Sequence, residues 1–509
     1  MISTFDPATL DLYRQAIAPA LRDGQLFEFD FSSLDHLGVP LWTLALIPAD
    51  GALCDGFGYG PNLPYAQTSA LGEALEWFWT REALKIAPRR VATFAQLSRE
   101  TACVHPIACN LGAGSDFSPD ETVLEWVEVT RHPDGAKKWV PIEFVAPRLA
   151  DIFPNAETGN WNAERVGVPI TNGSGAGPSF EHALAHGVLE LLQRDGNSVN
   201  YRAMDRGVRV ELDEVRDPQT RALLAQLDEQ GIEVIVKLAA LDFGMANVYV
   251  VGHDRDPRAA KSPITLSACG EAVHPDREFA LAKALREFVM ARSRKAFNHG
   301  PLAPIRDIAP RGYLQAFRPA TMRSEDERAL REMQGWMQLS HDEFFAMLRH
   351  PIFDVRETAR FSQLPHTPVP TAKDRLDVLT ERLNADGLEI FYFDASPPGS
   401  SVRVLKVVVP GLEVETMTYE RIGRRNLNRL LERGSSLVGQ GAPPTGAKAI
   451  RLEGEDDRRF WFDAGEKERI IGRLYPLYRE PGRHVIGFLD KQGSRLELEN
   501  ENKRRASVL

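Results

Sequence analysis

The chain has 509 residues, 43% hydrophobic and 26% charged, the proportions of an ordinary globular protein. At roughly 150 residues per domain, this length allows about three domains or one large domain with appendages. The 61 basic and 71 acidic residues give a formal charge of −10, which leaves no electrostatic footprint for nucleic acid.

Four cysteines, Cys54, Cys103, Cys109 and Cys269, are too few to staple such a chain and form no CxxC pair. Cys103 and Cys109 flank His105, a spacing that suits buried thiols better than metal ligands. The opening stretch MISTFDPATLDLYRQAIAPALRDG has no basic-then-apolar signal pattern, and no run of about 18 apolar residues follows. The expectation is a reducing, cytoplasmic setting with no membrane contact.

In chain order, a helix is expected from about Asp11 to Arg22, then a buried strand within Val39 to Ile47. Gly56, Gly58 and Gly60 follow, but Pro61 and Pro64 intervene and the GxGxxG dinucleotide spacing is not met. SALGEALEWFWTREAL has helical periodicity from Ser69, with Ser69 as expected cap and Leu71, Leu75, Phe78 and Trp79 as apolar contacts. NGSGAGPS from Asn172 supplies a turn, and Ser179 a cap, for the helix HALAHGVLELLQRDGN. The turn His274-Pro275-Asp276 introduces a third helix, REFALAKALREFVMARSRK. Strands are expected at 232–240 and 247–252. Residues 301–371 are richer in Pro, Met and charge and read as an excursion or linker. The helix Ala372 to Asn384, the strand LEIFYFD and VRVLKVVVPGLE restore an α/β pattern. After GQGAPPTGAK the composition changes, with an aromatic cluster at Phe460, Trp461 and Phe462.

Each helical residue advances about 100°, so Glu73 and Glu76 lie about 60° apart and address one cavity. Glu190 and Gln193 are related in the same way, with His182 within about 20° of Gln193 and Arg194 roughly a turn above Glu190. Lys283 and Glu287 are i and i+4 on one face. Convergent carboxylates suit Mg²⁺, which usually arrives with nucleotide phosphates. Solvated helix faces are the alternative, and residue types alone leave both open. For His182, a hydrogen-bonded core histidine, a phosphate contact and a metal ligand are all open. No GxxxxGK[ST] loop, HExxH or GxSxG elbow is present.

The order of GYG at 58–60, SALGEALEW from Ser69, NGSGAG with GVLELLQRD from Asn172, and AVHPDREFALAKALREFVMAR from Ala272 resembles the three signature regions of the YcaO family. LDHLGVPLW from Leu34 and VVVPGLE from Val407 resemble that family's opening and closing strands, so the resemblance spans roughly residues 30–430. It implies an α+β fold: one large YcaO-like domain of mixed sheets, residues 1–439, with acidic helices around a nucleotide site. Residues 440–509 would be a small C-terminal extension.

The resemblance also implies an enzyme dependent on ATP and Mg²⁺. It would phosphorylate a backbone amide oxygen of a ribosomally synthesised precursor peptide, giving an azoline, a thioamide or a related product. Phosphorylation turns a poor leaving group into a good one. A peptide-docking or sulfur-delivery partner protein and a homodimer are expected with it; nucleic acid and membranes are not. The alternative is a nucleotide-deficient scaffold that binds peptide or a partner enzyme.

Carried over by position, Glu73, Glu76, Glu190 and Glu287 would hold metal. Ser69, Asn172, His182, Gln193, Arg194 and Lys283 would contact ATP or its phosphates. Several positions depart from the family pattern. Trp77 stands for the usual Arg, His182 and Gln193 each for a Glu, Lys283 for an Arg, and Met290 for a Gln. His182 and Gln193 carry less negative charge than glutamate, so fewer or weaker metal ions are expected. Glu181 sits about 180° from Glu190 and does not replace it. Azoline-forming members that work with a docking protein commonly end in PxPxP. This chain ends ENENKRRASVL, and its PxP at Pro368 to Pro370 is internal, which shifts the expectation toward a thioamide or another product.

Overall fold

The computed structural model describes residues 7–109, 113–114, 117–147, 172–203, 207–317, 335–414, 421–455, 459–471 and 483–484. Three sheets, each covered by one long helix, make up the α+β body.

Helix α1 (Pro7–Ile17) precedes a sheet of strands β1 (Gln25–Asp30), β2 (Leu41–Ile47) and β3 (Cys54–Tyr59) in that order. The apolar run in β2 is buried along most of its length because β2 is the central strand. Helix α2 (Leu63–Ile86) covers this sheet, burying Leu71, Leu75 and Phe78. The indole of Trp79 donates to the Ala16 carbonyl at 2.9 Å.

A second sheet holds β4 (Arg89–Ala92), β5 (Leu124–His132), β6 (Lys137–Pro141), β7 (Ser174–Gly177), β13 (Ile390–Asp394) and β14 (Arg403–Val408). Its order is β4-β5-β13-β14-β7, and β6 also pairs with β5. Helix α3 (Phe180–Ala203) follows β7, and the Ser179 hydroxyl accepts the His182 N–H at 3.2 Å, as the sequence leads one to expect. The third sheet is β11-β10-β9-β8-β12, from β8 (Val208–Glu211), β9 (Ile232–Ala240), β10 (Ala246–Asp254), β11 (Cys269–His274) and β12 (Glu357–Arg360). Helix α4 (Pro218–Glu229) lies between β8 and β9. Helix α5 (Arg277–His299) follows β11 and is capped by Asp276, whose carboxylate accepts the Glu278 N–H at 2.9 Å. Arg292 of α5, fully buried, bonds Asp35 at 2.8 Å and Asp254 at 2.9 Å, joining the first and third sheets.

Two expectations are corrected. Ser69 does not cap α2: the helix begins earlier, with the Asn62 side chain accepting the Tyr65 N–H at 3.0 Å and Pro64 in the first turn. Proline is favoured there because its missing N–H is not needed, and the chain had already turned at residues 60–62. Residues 301–371 are not merely a linker. They contain helices Leu302–Ile308 and His341–Leu348, and β12 adds in parallel to β8. Phe344, Leu348 and Ile352 are buried against Ile235 and Tyr249.

Helix α6 (Ala372–Ala385) packs on α3, and helix α7 (Arg424–Glu432) is held by the buried Asp195 carboxylate, which accepts from Arg425 at 2.9 Å and Arg429 at 2.8 Å. Strands β15 (Val438–Gln440), β16 (Lys448–Ala449) and β17 (Phe460–Phe462) form a small sheet, followed by helix α8 (Ala464–Ile471). Phe462 packs with Leu427, Leu430 and Leu437, so this sheet shares a core with α7. Among the described residues no helix is long and apolar enough to cross a membrane.

Strands β3, β7 and β11 are the edge strands next to α2, α3 and α5, and each meets its helix through glycine. A Cβ at Gly58 would lie 1.8 Å from the Ala66 carbonyl oxygen, one at Gly175 2.1 Å from that of Ala183, and one at Gly270 2.1 Å from that of Ala284. Only glycine permits that backbone approach. Gly270→Ala should therefore cost about 1–3 kcal/mol in urea unfolding, the usual range for overpacking. Gly335→Ala, where a Cβ meets nothing within 4 Å, should change stability by less than about 0.5 kcal/mol.

Candidate active site

Each long helix reaches across to the edge strand of another unit. Glu76 of α2 accepts the Ala176 N–H of β7 at 2.9 Å. Arg194 of α3 donates to Glu271 of β11 at 3.0 Å, and the Gln193 amide donates to the same carboxylate at 3.2 Å. Glu287 of α5 accepts the Tyr59 hydroxyl of β3 at 3.3 Å. The three contacts close a ring, α2 to β7, α3 to β11 and α5 to β3. Within the units, Glu73 accepts the Phe57 N–H at 2.7 Å and Glu190 the Gly173 N–H at 2.9 Å. These are backbone amides at sheet edges that would otherwise lack partners.

Glu73, Glu76 and Glu190 line one cavity of about 190 Å³, with Asp55, Phe57, Trp77, Thr80, Val145, Pro147, Ser174, Arg294 and Lys406. Burial pushes the Glu73 carboxyl up to about 7, with Asp55 and Glu190 adding repulsion and the Phe57 N–H and Arg294 opposing it. Glu76 is raised well above the ordinary carboxylate range by burial and then by Glu190 and Glu73. Lys406 of β14 is 1% exposed, and burial lowers its ammonium to about 8 against the attraction of Glu190 and Glu76. Its Nζ donates to the Asn172 carbonyl.

Glu287 lies outside that lining, on the side of the ring facing Tyr59, and burial raises it to about 7 while Lys283 opposes the rise. Beyond it stands a group of imidazoles and cations. Burial pushes His182 down to about 4 and His274 to about 3, in each case with added repulsion from Arg375 of α6. His186 is lowered well below its ordinary value by burial and then by Lys283, His182 and Arg375. These imidazoles are neutral at physiological pH and offer donors or acceptors without added charge. His274 is 2% exposed; its Nδ1 accepts the Asp276 N–H at 3.0 Å, and its Nε2 is buried without a partner.

The structure thus gathers Glu73, Glu76 and Glu190 in one cavity, with Asn172 joined to it through Lys406. Lys283 stands beside Glu287, and Gln193 and Arg194 are engaged by Glu271. Ser69 lies inside α2, one turn ahead of Glu73. Glu181 lies within electrostatic reach of the exposed Lys373. Of the departures, Trp77 lines the cavity and Met290 is 5% exposed among Phe29, Phe31 and Phe57. His105 stacks edge-on to Phe94 at 4.5 Å, and Cys109 is a buried thiol whose pKa burial raises. Asp55, Glu271, Arg294, Arg375, His274 and Lys406 were missed. Asp55, Glu271, His274 and Lys406 sit on strands and Arg375 on another helix, but Arg294, seven residues after Glu287 and so within about 20° of it on α5, was a readable signal, as was Lys406 in VRVLKVVV, a lysine inside an apolar strand.

Among the described residues no group of three His, Cys, Asp or Glu side chains closes tightly enough to hold an ion unaided. The donor set nevertheless fits Mg²⁺. That ion keeps several waters and binds through one or two carboxylates plus substrate phosphates, and the mutual repulsion of Glu73, Glu76 and Glu190 is what a cation relieves.

A carboxyl raised by folding binds more protons folded than unfolded between its ordinary value and its folded one, so it subtracts stability as pH rises through that window. For Glu73 and Glu287 the window ends near 7. Bound Mg²⁺ should offset this cost once both are ionised. The rise in melting temperature on adding Mg²⁺ should be larger at pH 8 than at pH 6 by scanning calorimetry, and an equal rise would contradict the assignment.

A family model described as YcaO cyclodehydratase, ATP- and Mg²⁺-binding, matches residues 57–413. An uncharacterized protein of Methanothermobacter thermautotrophicus is 28% identical over 410 residues, covering 78% of this chain and 91% of that protein. An uncharacterized protein in the tfuA 3′ region of Rhizobium leguminosarum bv. trifolii is 25% identical over 430 residues, covering 82% and 90%. The YcaO protein of Methanopyrus kandleri, solved with AMPPCP and Mg²⁺, superposes with a TM-score of 0.55 at 19% identity over 82% of this chain and 96% of that one. A heterocyclase solved with substrate and cofactor gives a TM-score of 0.61 at 18% identity; it matches 85% of this chain, which spans 55% of the heterocyclase. With the family model covering most of the chain, and sheets, helices and carboxylate cavity arranged as above, the protein belongs to the YcaO family, and its cofactors are ATP and Mg²⁺.

Proposed function

We propose that the chain uses ATP to activate a backbone amide of a ribosomally made precursor peptide, giving an azoline, a thioamide or a related product. The observation that carries this reading is the cavity in which Glu73, Glu76 and Glu190 are each fixed by a backbone N–H and face Lys406 and Arg294. Bound ATP and Mg²⁺ supply the phosphoryl group that makes the amide oxygen a leaving group, and the charge that shields it.

The chain's own residues bind and orient. Glu73, Glu76 and Glu190 would hold the cation, with Glu287 contributing from outside the cavity lining. Lys283, Arg194, Gln193 and the neutral His182 would contact the phosphates, as would Asn172 and Ser69. Lys406 and Arg294 keep three half-buried carboxylates from repelling one another out of register. The half-buried Trp77 offers an apolar wall to a peptide. Because the site is preformed, its dipoles and charges need little reorganisation during reaction. A docking or sulfur-delivery protein would set which nucleophile reaches the carbonyl.

The rival reading, a scaffold that no longer uses nucleotide, draws on one observation: Gln193 and Arg194 are already engaged by Glu271. Glu76→Gln separates the two. The amide keeps an oxygen for the Ala176 N–H and removes the charge, so the protein should stay folded while Mg-ATP affinity falls about 10–100-fold, or about 1.4–2.8 kcal/mol. Calorimetric titration with Mg-AMPPCP reads the affinity, and mass spectrometry of the precursor peptide reads the product as loss of water or exchange of oxygen for sulfur. A wild-type protein that binds no Mg-AMPPCP would establish the scaffold.

A further inference from the structure

We propose that Arg483 is a positioning residue of the carboxylate cavity, so that residues 483–484 are part of the catalytic unit. The inference rests on the reading of that cavity as the Mg-ATP site. Arg483 lies far beyond the matched family region, yet its side chain is 2% exposed and sits behind the cavity wall. Its Nε donates to Asp55 at 2.9 Å, one Nη to the Leu44 carbonyl at 2.9 Å and the other to the Tyr313 hydroxyl at 3.2 Å. The guanidinium also lies 4.3 Å from the centre of the Phe57 ring and 5.4 Å from that of Phe297. The next residue locks the segment in place: the His484 N–H donates to the Asn298 carbonyl at 3.0 Å, and its Nε2 meets the Tyr313 hydroxyl at 2.8 Å.

Two of the groups that Arg483 touches, Asp55 and Phe57, line the cavity, and the Phe57 N–H is the donor that fixes Glu73. Asp55 is also a like charge facing Glu73. The guanidinium therefore does two things: it neutralises Asp55 at the cavity edge, and through the Leu44 carbonyl of β2 and the ring of Phe57 it holds the β2–β3 pair that seats Glu73. Lysine could supply the charge but not the planar fork that reaches Asp55, Leu44 and Tyr313 together. Removing Arg483 leaves the half-buried Asp55 carboxylate without this partner beside the cavity, where its charge faces Glu73. Phe297 and Arg294 still hold part of the wall, with Arg294 4.8 Å from the Phe57 ring centre, so the effect is a displaced Glu73 and not a collapsed fold.

The test is a set of full-length variants titrated with Mg-AMPPCP, with melting temperature read beside affinity. Arg483→Met should weaken binding about tenfold, and Arg483→Lys should recover part of it. On an Asp55→Asn background Arg483→Met should cost markedly less, because the charge it neutralises is gone. Tyr313→Phe, which removes hydroxyl bonds in the same cluster and leaves the Asp55 contact, should lower the melting temperature with affinity unchanged. Wild-type affinity in Arg483→Met would overturn the proposal. So would an equal loss of affinity in Tyr313→Phe, which would mark general loosening. If Arg483→Met does not fold, Arg483→Lys decides, because wild-type affinity there would show that the fork positions nothing. Failure of the wild-type protein to bind Mg-AMPPCP is a separate outcome: it removes the cavity reading, and this inference with it.

Discussion

The close approach of three helices to three glycine-bearing edge strands is the constraint on which the site depends. At Gly58, Gly175 and Gly270 the strand backbone touches a helix carbonyl so closely that no Cβ fits. That contact brings the edge amides of Phe57, Gly173 and Ala176 within reach of carboxylates on the helices. An edge N–H left without a partner in the interior is expensive, and a buried carboxylate without donors more so. Each solves the other's problem. Because Glu76, Arg194 and Glu287 reach across to another unit's strand, the ring cannot form until all three sheets are in place.

The ring leaves an electrostatic tension. Glu73, Glu76 and Glu190 share one cavity, and burial and repulsion both favour the protonated forms of Glu73 and Glu76. Lys406 and Arg294 relieve part of this, at the cost of burying a lysine in the middle of a strand. Such concentrations of cost occur where structure serves a site and not stability. A divalent cation bound here with phosphate would complete the neutralisation, so that nucleotide, metal and site would be coupled through charge. The pairing of Gln193 and Arg194 with Glu271 has the same logic. A carboxylate on β11 restores negative charge next to Gln193, where the family pattern has a glutamate on the helix itself.

The helices were legible because periodicity and spacing survive in one dimension. Glu73 and Glu76 about 60° apart, Ser179 before His182 and Asp276 before Glu278 are local facts. The family resemblance then supplied the order of the three regions. The start of α2 was misread because Ser69 looks like a cap, while the earlier signal, Asn62 followed by Pro64, lay in a loop that the glycines obscured. What periodicity cannot show is which side chains meet across elements. Glu271, Arg375 and Lys406 approach the long helices from three different strands and helices. Arg483 reaches Asp55 from more than four hundred residues away. The region 301–371 was underread for a related reason, since its Pro-rich composition hides a parallel strand whose partner, β8, is about 150 residues earlier.

The C-terminal segment illustrates how little composition says about belonging. Its aromatic cluster shares a core with α7, which Asp195 of α3 holds in place, and Arg483 stands against the same wall as the cavity carboxylates. The cavity lining thus runs from Asp55 of β3 to Lys406 of β14, with Arg483 behind it. The most direct test is a crystal structure of the full-length chain with AMPPCP and Mn²⁺, with Mn²⁺ located by its anomalous signal. The account predicts an ion bound to the nucleotide phosphates and to at least two of Glu73, Glu76, Glu190 and Glu287. An ion and nucleotide bound elsewhere, with those carboxylates still held only by their backbone amides, would contradict it.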